Sequence, residues 1–456
     1  MMREPAFQLL PPPTPTPLVG RRVLVLGLGD TGLSLARWIA REGGRVRMAD
    51  SRRDPPRSKE YQTDFAGELH TGAFSTALLD DVDVVCVSPG LVLQEKVIQE
   101  AAARGLPVLG DIELFAWHAR QPVLGVTGTN GKSTVTALAG HLLRSAGVDC
   151  EVAGNIGPPV LQAFEKRLHS GKLPRAWVLE LSSYQLETTW SLVPAAAAML
   201  NLTEDHFDRY ASLDDYGAAK ARIFFGAGTQ VLNRDDPRSV AMAQPGKTVL
   251  TFGLDAPPTP QDFGVAVNRL VQGNTEILPV DQLPIRGLHN VANALAASAL
   301  ASVMGVGPEA LSRGLKTFKG LPHRLQLVAT RRGVEWYDDS KGTNVGATAA
   351  ALRGLGRKAV LILGGDGKGQ DFSPLKDPVS RHAAKVLLIG RDAPLIEKVV
   401  GGQRCSSLEE AVQKASEIAK AGEAVLLSPA CASFDMFRDY RHRGEVFAQA
   451  VGRLAP

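Results

Sequence analysis

Pro122-Val-Leu-Gly-Val-Thr-Gly-Thr-Asn-Gly-Lys-Ser-Thr134 decides the fold. Val123 to Val126 is a short apolar run whose length and branched residues predict a buried strand. A glycine-rich turn follows, and Ser133 to Arg144 then reads as a helix, with Leu138, Leu142 and Leu143 at helical spacing. Strand, glycine turn and Lys-Ser at a helix start make a phosphate cradle. Backbone N–H groups face the anion without Cβ obstruction, the helix N-terminus adds partial positive charge, and Lys132 adds a full one. The hydroxyl of Ser133 or Thr134 is then placed to meet a phosphate-bound Mg²⁺. The strict pattern has Gly six residues before the Lys, where this chain has Val126; its glycines fall at Gly128 and Gly131, so the loop is a variant. The plainer reading is a glycine-rich turn with a solvated lysine.

Working outward, Arg21 to Leu26 reads as a strand closed by Gly27-Leu-Gly-Asp-Thr-Gly32, with a helix to Arg41 and a second strand ending at Asp50. That is G-x-G-x-x-G with an acid nearly twenty residues on, the pattern of a dinucleotide-binding unit. Asp50 is then expected to accept hydrogen bonds from a ribose or another hydroxyl-bearing group. The alternative is a tight turn with no ligand. Val82 to Gly90 repeats the theme, a strand ending in Ser88-Pro-Gly90. Beyond the phosphate loop, Ala176 to Glu180 is a buried strand that puts a carboxylate near its end, suited to Mg²⁺ or simply structural. Ala195 to Leu202 is another strand, followed by the ionisable run Asn201-Leu-Thr-Glu-Asp-His-Phe-Asp-Arg-Tyr210. His206 read alone is a hydrogen-bonded structural histidine, and Lys220, on a helix from Leu213 to Phe225, a solvated surface lysine.

Further along, His289, Asn290 and Asn293 open an alanine-rich helix, with both amides on one side for a planar base or a helix cap. Leu321-Pro-His-Arg-Leu325 reads as the entry to a third unit, in which 324–328, 335–337, 358–363, 385–389 and 425–427 are strands. Strands alternating with helices throughout predict three consecutive α/β domains: a Rossmann-like unit over 21–110, a P-loop-type ATPase unit over 111–321 and a second Rossmann-like unit over 322–456. Residues 1–20, with Pro11 to Pro17, are expected to form an extended leader.

Composition bounds the function. A net charge of +4 over 456 residues argues against nucleic acid or an anionic membrane as partner. The cysteines Cys86, Cys150, Cys405 and Cys431 form no C-x-x-C pair, which predicts reduced thiols in a cytosolic protein. No apolar run reaches membrane-spanning length.

Gly128 to Thr134, Gly154-Asn-Ile-Gly157, Glu180 to Glu187, Asn201 to Tyr210 and Leu321 to Arg324 together resemble the Mur ligases. Gly110 to Phe115, Asp339 to Val345, Gly364 to Lys368 and Leu427 to Ser433 resemble the branch that adds D-glutamate, and the match runs from about Arg21 to the C-terminus. The resemblance implies an ATP-dependent amide ligase of cytoplasmic peptidoglycan synthesis, acting on UDP-N-acetylmuramoyl-L-alanine and D-glutamate as a monomer with two Mg²⁺ ions. It places UDP, rather than NAD, at Asp30, Thr31, Asp50, Ser51, Arg52, Ser88, Pro89 and Gly90. Asp30 stands where the family has an apolar residue, and Tyr440 where it has a phenylalanine.

By the same resemblance, Asn155 and His206 face the muramoyl-alanine end. ATP falls to Gly128, Thr129, Asn130, Gly131, Lys132, Ser133, Thr134, Asn290, Asn293, Arg324 and Asp339, with Lys341 near the transferred phosphoryl group. Glu180 is assigned to one metal, beside Ser133, and His206 to a second. D-glutamate falls to Thr343, Lys368, Ser433, Phe434 and Tyr440. Lys220 corresponds to a lysine that the family converts to a carbamate with CO₂, a long anionic ligand for the second metal. The rival readings are a folylpolyglutamate-type ligase, an NAD-dependent oxidoreductase built on Gly27 to Gly32, and a binding-only protein.

Overall fold

The structure, a computed structural model, describes Leu9, residues 17–207 and residues 209–454. Apart from Pro17, the proline-rich stretch expected as a leader lies outside these residues. Leu18, which the sequence reading assigned to that leader, is buried in the first core, and Gly20 donates to Gly43 O at 2.8 Å.

Three sheets follow one another. The first contains β1 (Arg22–Leu26), β2 (Arg45–Asp50), β3 (Leu69–Thr71), β4 (Val84–Val87) and β5 (Val108–Leu109) in the order β3-β2-β1-β4-β5. All of its pairs are parallel, and the order reverses between β1 and β4, where open α/β sheets leave a crevice. The glycine turn after β1 and Ser88 after β4 flank that point. A Cβ on Gly32 would lie 1.8 Å from Gly27 O, so only glycine lets the helix Asp30–Arg41 start against the strand end.

The second sheet has β6 (Val123–Thr127), β7 (Cys150–Gly154), β8 (Ala176–Glu180), β9 (Ala196–Met199), β10 (Thr229–Asn233), β11 (Thr248–Phe252), β12 (Phe263–Ala266), β13 (Arg269–Gln272) and β14 (Thr275–Pro279). Their order is β14-β13-β12-β11-β10-β9-β6-β8-β7. β6 to β11 are parallel, each apolar residue of β6 being buried because helices cover both faces. The helices Lys132–Ser145 and Leu288–Val303 pack together on one face in a core with Leu124, Val126, Leu138 and Leu295.

This sheet corrects one expectation. Strands and helices do not alternate throughout, because β11 to β14 follow one another without an intervening helix and β12 to β14 form an antiparallel meander. The first hairpin turns on Val267 and Asn268, both at positive φ (47° and 58°), the geometry of a two-residue primed turn.

The third sheet holds β15 (Gln326–Arg331), β16 (Val334–Asp338), β17 (Ala359–Gly364), β18 (Ala383–Ile389), β19 (Gln403–Arg404) and β20 (Ala424–Leu427), ordered β15-β16-β20-β17-β18-β19. It is parallel except for the β15–β16 hairpin. The helix expected over Leu213 to Phe225 is α-helical over Leu213–Ala221 and tightens to 3₁₀ over Arg222–Phe224. Among the described residues no helix is long and apolar enough to cross a membrane.

Candidate active site

The phosphate loop leaves β6 with Gly128 at φ 149° and Gly131 at φ 84°, and Lys132 begins the helix. The loop after β9 backs it: Thr129 N–H donates to Asn201 O and Asn130 N–H to Asn201 Oδ1, both at 2.8 Å. Lys132 Nζ folds onto its own loop, donating to Gly128 O and Thr129 O at 2.8 Å each. Burial lowers its pKa. A Cβ on Gly131 would meet Asn293 Oδ1 at 2.4 Å, so the amide pair sits directly against the loop. Asn293 Nδ2 donates to Asn290 Oδ1 at 3.1 Å, and Asn290 Nδ2 to Arg286 O at 2.7 Å.

Glu180 ends β8 and is 2 % exposed. Its Oε1 accepts from Asn155 Nδ2 at 2.6 Å, whereas Oε2 is buried with no hydrogen-bond partner. An orphaned carboxylate oxygen in a polar cleft suits a hard cation. His206 stands at φ 58°, its Nδ1 2.6 Å from the Tyr184 hydroxyl and its Nε2 3.8 Å from Asp205 Oδ2. Burial lowers its pKa against the pull of Asp205, which favours a neutral imidazole.

Lys220 overturns the surface reading: it is 1 % exposed. Its Nζ donates to Gly128 O at 2.8 Å, the same carbonyl that holds Lys132, and lies 4.4 Å from the Tyr216 ring centroid. Burial first, and the charge of Lys132 second, drive its pKa well below the ordinary lysine value. The two lysines share one carbonyl, and the amine beneath it is pushed toward its neutral form.

The third sheet closes the cleft from the other side. Arg324 Nη2 donates to Ser133 Oγ at 2.8 Å, and Asn344 Nδ2 reaches Asn130 Oδ1 at 3.1 Å and Asp205 Oδ2 at 3.0 Å. Asp339 accepts from Ser428 Oγ at 2.7 Å, and burial pushes its pKa up to about 7. Lys341 Nζ lies 3.8 Å from the centroid of the Tyr440 ring. The cavity so enclosed measures about 560 Å³. Thr129 to Thr134, Asn155, Glu180, His206, Asn290, Asn293, Arg324, Asp339, Lys341, Thr343 and Lys368 line it. Gly128 and Lys220 lie beneath the lining. Ser433, Phe434 and Tyr440 stand outside it, Ser433 buried and Phe434 72 % exposed.

The first-domain residues form a separate edge. Asp50 is not a waiting acceptor, since its buried carboxylate takes Leu28 N–H at 2.6 Å, Arg52 N–H at 2.8 Å and the Arg52 guanidinium. It shapes the glycine turn from below. Ser88 Oγ donates to Gly27 O at 2.7 Å. Asp30 pairs with Arg57 at 2.6 Å, and Thr31, Ser51, Pro89 and Gly90 are at least partly exposed beside them.

Several site residues escaped the sequence reading. Asp205 and Asn344 knit the cleft, Tyr216 covers Lys220, and the buried Arg443 ties Ser340 Oγ (3.0 Å) and Ser340 O (2.9 Å) to Cys431 O (3.0 Å). Asp205 carried a signal as part of an acidic run beyond a strand, and Tyr216 lies one helical turn from Lys220; Asn344 and Arg443 depend on partners more distant in sequence. Among the described residues no three His, Cys, Asp or Glu side chains form a metal cage. A cation here would therefore draw on mixed donors.

Residues 21–110 match the profile described as Mur ligase MurD-like, N-terminal domain, residues 126–301 the Mur ligase middle domain, and residues 323–431 the Mur ligase, glutamate ligase domain. The chain is 54 % identical to the UDP-N-acetylmuramoylalanine–D-glutamate ligase of Thiobacillus denitrificans, covering 96 % of this chain and 97 % of that one. It is 50 % identical to the enzyme of the same name from Nitrosospira multiformis, covering 95 % and 96 %. Its fold resembles the solved UDP-N-acetylmuramate-alanine ligase of Thermotoga maritima, with a TM-score of 0.60 at 17 % identity over 94 % of this chain and 98 % of that one.

Proposed function

The chain belongs to the Mur ligase family, and from that premise we propose that it joins D-glutamate to UDP-N-acetylmuramoyl-L-alanine at the expense of ATP, a step of peptidoglycan precursor synthesis. One observation carries the reading: Lys132, Glu180, His206, Lys341 and Lys368 converge on one cleft between the second and third sheets. The match of the first domain to the MurD-like profile favours a nucleotide-sugar acid over a folate, and leaves an NAD-dependent oxidoreductase without support.

The alanyl carboxylate attacks the γ-phosphorus of ATP, ADP departs, and the resulting acyl phosphate is attacked at its carbonyl carbon by the amine of D-glutamate; phosphate then leaves. Lys132 exchanges its two loop carbonyls for the β- and γ-phosphates, and the loop N–H groups hold the same oxygens. Lys341 stands across the cleft to neutralise charge on the migrating phosphoryl group. Asn290, Asn293, Arg324 and Asp339 hold the nucleotide. Asn155 and His206 face the acyl end, and the proton of the incoming amine passes to the His206 imidazole or, where that nitrogen holds a metal ion, to a water beside it.

Thr343 and Lys368, with Ser433, Phe434 and Tyr440 behind them, take the D-glutamate carboxylates. The first-domain edge formed by Asp30, Thr31, Ser51, Arg52, Pro89 and Gly90, with Asp50 and Ser88 bracing the turn behind it, takes the UDP. Mg²⁺ fits Ser133 and the orphaned Glu180 oxygen, and a second ion fits His206 and a carbamate on Lys220, where it supplies charge neutralisation. Carbamate formation requires the neutral amine that the burial of Lys220 favours.

The test is phosphate release with ATP, UDP-N-acetylmuramoyl-L-alanine and one amino acid at a time. D-glutamate is expected to support turnover, with L-glutamate, L-lysine and D-alanine inactive. Release driven by L-lysine or D-alanine would overturn the assignment.

A further inference from the structure

We propose that Arg209 is a positioning residue that couples the nucleotide-sugar loop of the first domain to His206. The inference rests on the functional reading above and adds a link between two of its parts. The Arg209 side chain is 6 % exposed, and its guanidinium reaches two domains. Nη1 donates to Pro89 O at 3.2 Å and Leu91 O at 2.8 Å, in the loop that leaves β4. Nη2 donates to Glu187 at 2.5 Å. The guanidinium carbon Cζ lies over the Tyr184 ring, 3.9 Å from its centroid, and the Tyr184 hydroxyl is 2.6 Å from His206 Nδ1.

Tyr184 lies on the short helix Ser183–Leu186 and Glu187 caps its end, so Arg209 bonds to one side chain of this turn and stacks on another. The backbone completes the loop, since Arg209 N–H donates to His206 O at 2.9 Å. A shift of Pro89 to Leu91 on binding a nucleotide sugar therefore moves a guanidinium that bears on the ring orienting His206. With Nδ1 facing Tyr184, Nε2 is the nitrogen left to meet a ligand. Only a planar fork serves two carbonyls, a carboxylate and an aromatic face together; a lysine ammonium keeps the charge and loses the geometry.

Arg209→Lys keeps a cation opposite Glu187 and so preserves the fold. It is expected to raise the KM for UDP-N-acetylmuramoyl-L-alanine about tenfold, as for loss of a charged hydrogen bond, with the KM for ATP within about twofold. Tyr184→Phe keeps the ring and removes the hydroxyl; it is expected to lower kcat about tenfold with the nucleotide-sugar KM unchanged. A readout independent of turnover is the ¹⁵N imidazole spectrum of His206 at fixed pH. Added nucleotide sugar should shift it in the wild type and leave it unmoved in Arg209→Lys. An unchanged KM with a responsive His206 signal in Arg209→Lys would overturn the link, as would an equal rise in both KM values. Absence of D-glutamate-dependent phosphate release by the wild type would instead strike the functional reading, and the His206 response to nucleotide sugar would still decide the link.

Discussion

Lys220 and Lys132 donate to one carbonyl, Gly128 O, and a pair of ammonium groups so close is tolerable only if one gives up its charge. On the proposed reading Lys220 becomes a carbamate, which converts repulsion into attraction and supplies oxygen donors for a hard cation. Lys220→Ala should lose at least about a hundredfold in kcat, the scale of removing one transition-state stabiliser. A short carboxylic acid such as acetate should restore part of it by entering the vacated space. Lys220→Arg should be equally inactive and unresponsive, because guanidinium fills the site and does not carbamylate; full activity in that variant would refute the role. Lys132 was legible in sequence because a lysine between a glycine and a serine at a helix start has few other uses. Lys220 was not: the residues around it, Asp214, Asp215, Gly217 and three alanines, draw no apolar stripe that would mark a buried face. Its burial comes from Tyr216 and from a loop 92 residues away in sequence.

At the scale of elements, two strained places invite measurement. Asp111 opens the helix Asp111–His118, fully buried, with Oδ1 unpartnered and Oδ2 accepting from Gln185 at 3.3 Å. Burial pushes its pKa up to about 6 from 3.8. A raised carboxyl pKa means that the fold prefers the protonated form: stability is intact below about pH 4 and is lost as the pH rises through 6. The cost above that is about 3 kcal/mol, larger than the roughly 0.3–1 kcal/mol that an acid gains at a helix start. Asp111→Asn should therefore raise the melting temperature at pH 8 and leave it nearly unchanged at pH 4; a gap of equal size at both would disprove the cause.

The second place is the hairpin turn, where Val267 is 92 % exposed and holds φ 47°, a region that β-branched residues avoid. Replacing Val267-Asn268 by Asn-Gly should stabilise the chain by about 1 kcal/mol with kcat unchanged, read from thermal unfolding and a parallel assay. The meander that carries this turn is not marked in the sequence. Its edge strand, Thr275-Glu-Ile-Leu-Pro279, buries only Ile277 and Leu278, adjacent residues that draw no period-two pattern.

For the molecule as a whole, the parallel cores were legible, since β6, β8 and β17 read as short apolar runs at or just before a glycine or an acid; the strand orders that set the switch points were not. The clasp between the second and third sheets was not. Arg324 to Ser133 and Asn344 to Asn130 join residues separated by 191 and 214 positions, beyond any local pattern. Lys368 lines the cleft from the third domain, so Lys368→Ala should raise the KM for D-glutamate by a factor equivalent to about 2–3 kcal/mol while that for ATP stays near normal. A selective rise in the ATP value would move Lys368 to the nucleotide.

The depth of Lys220 has one more consequence. At 1 % exposure its amine is shielded from dissolved gas, so on the proposed reading gain and loss of CO₂ follow the rate of a local opening of the fold. The enzyme then has a memory. Protein transferred from CO₂-free buffer into bicarbonate should recover with a lag that no concentration of ATP or amino acid abolishes, and two samples in identical solution should differ in rate according to where each was stored.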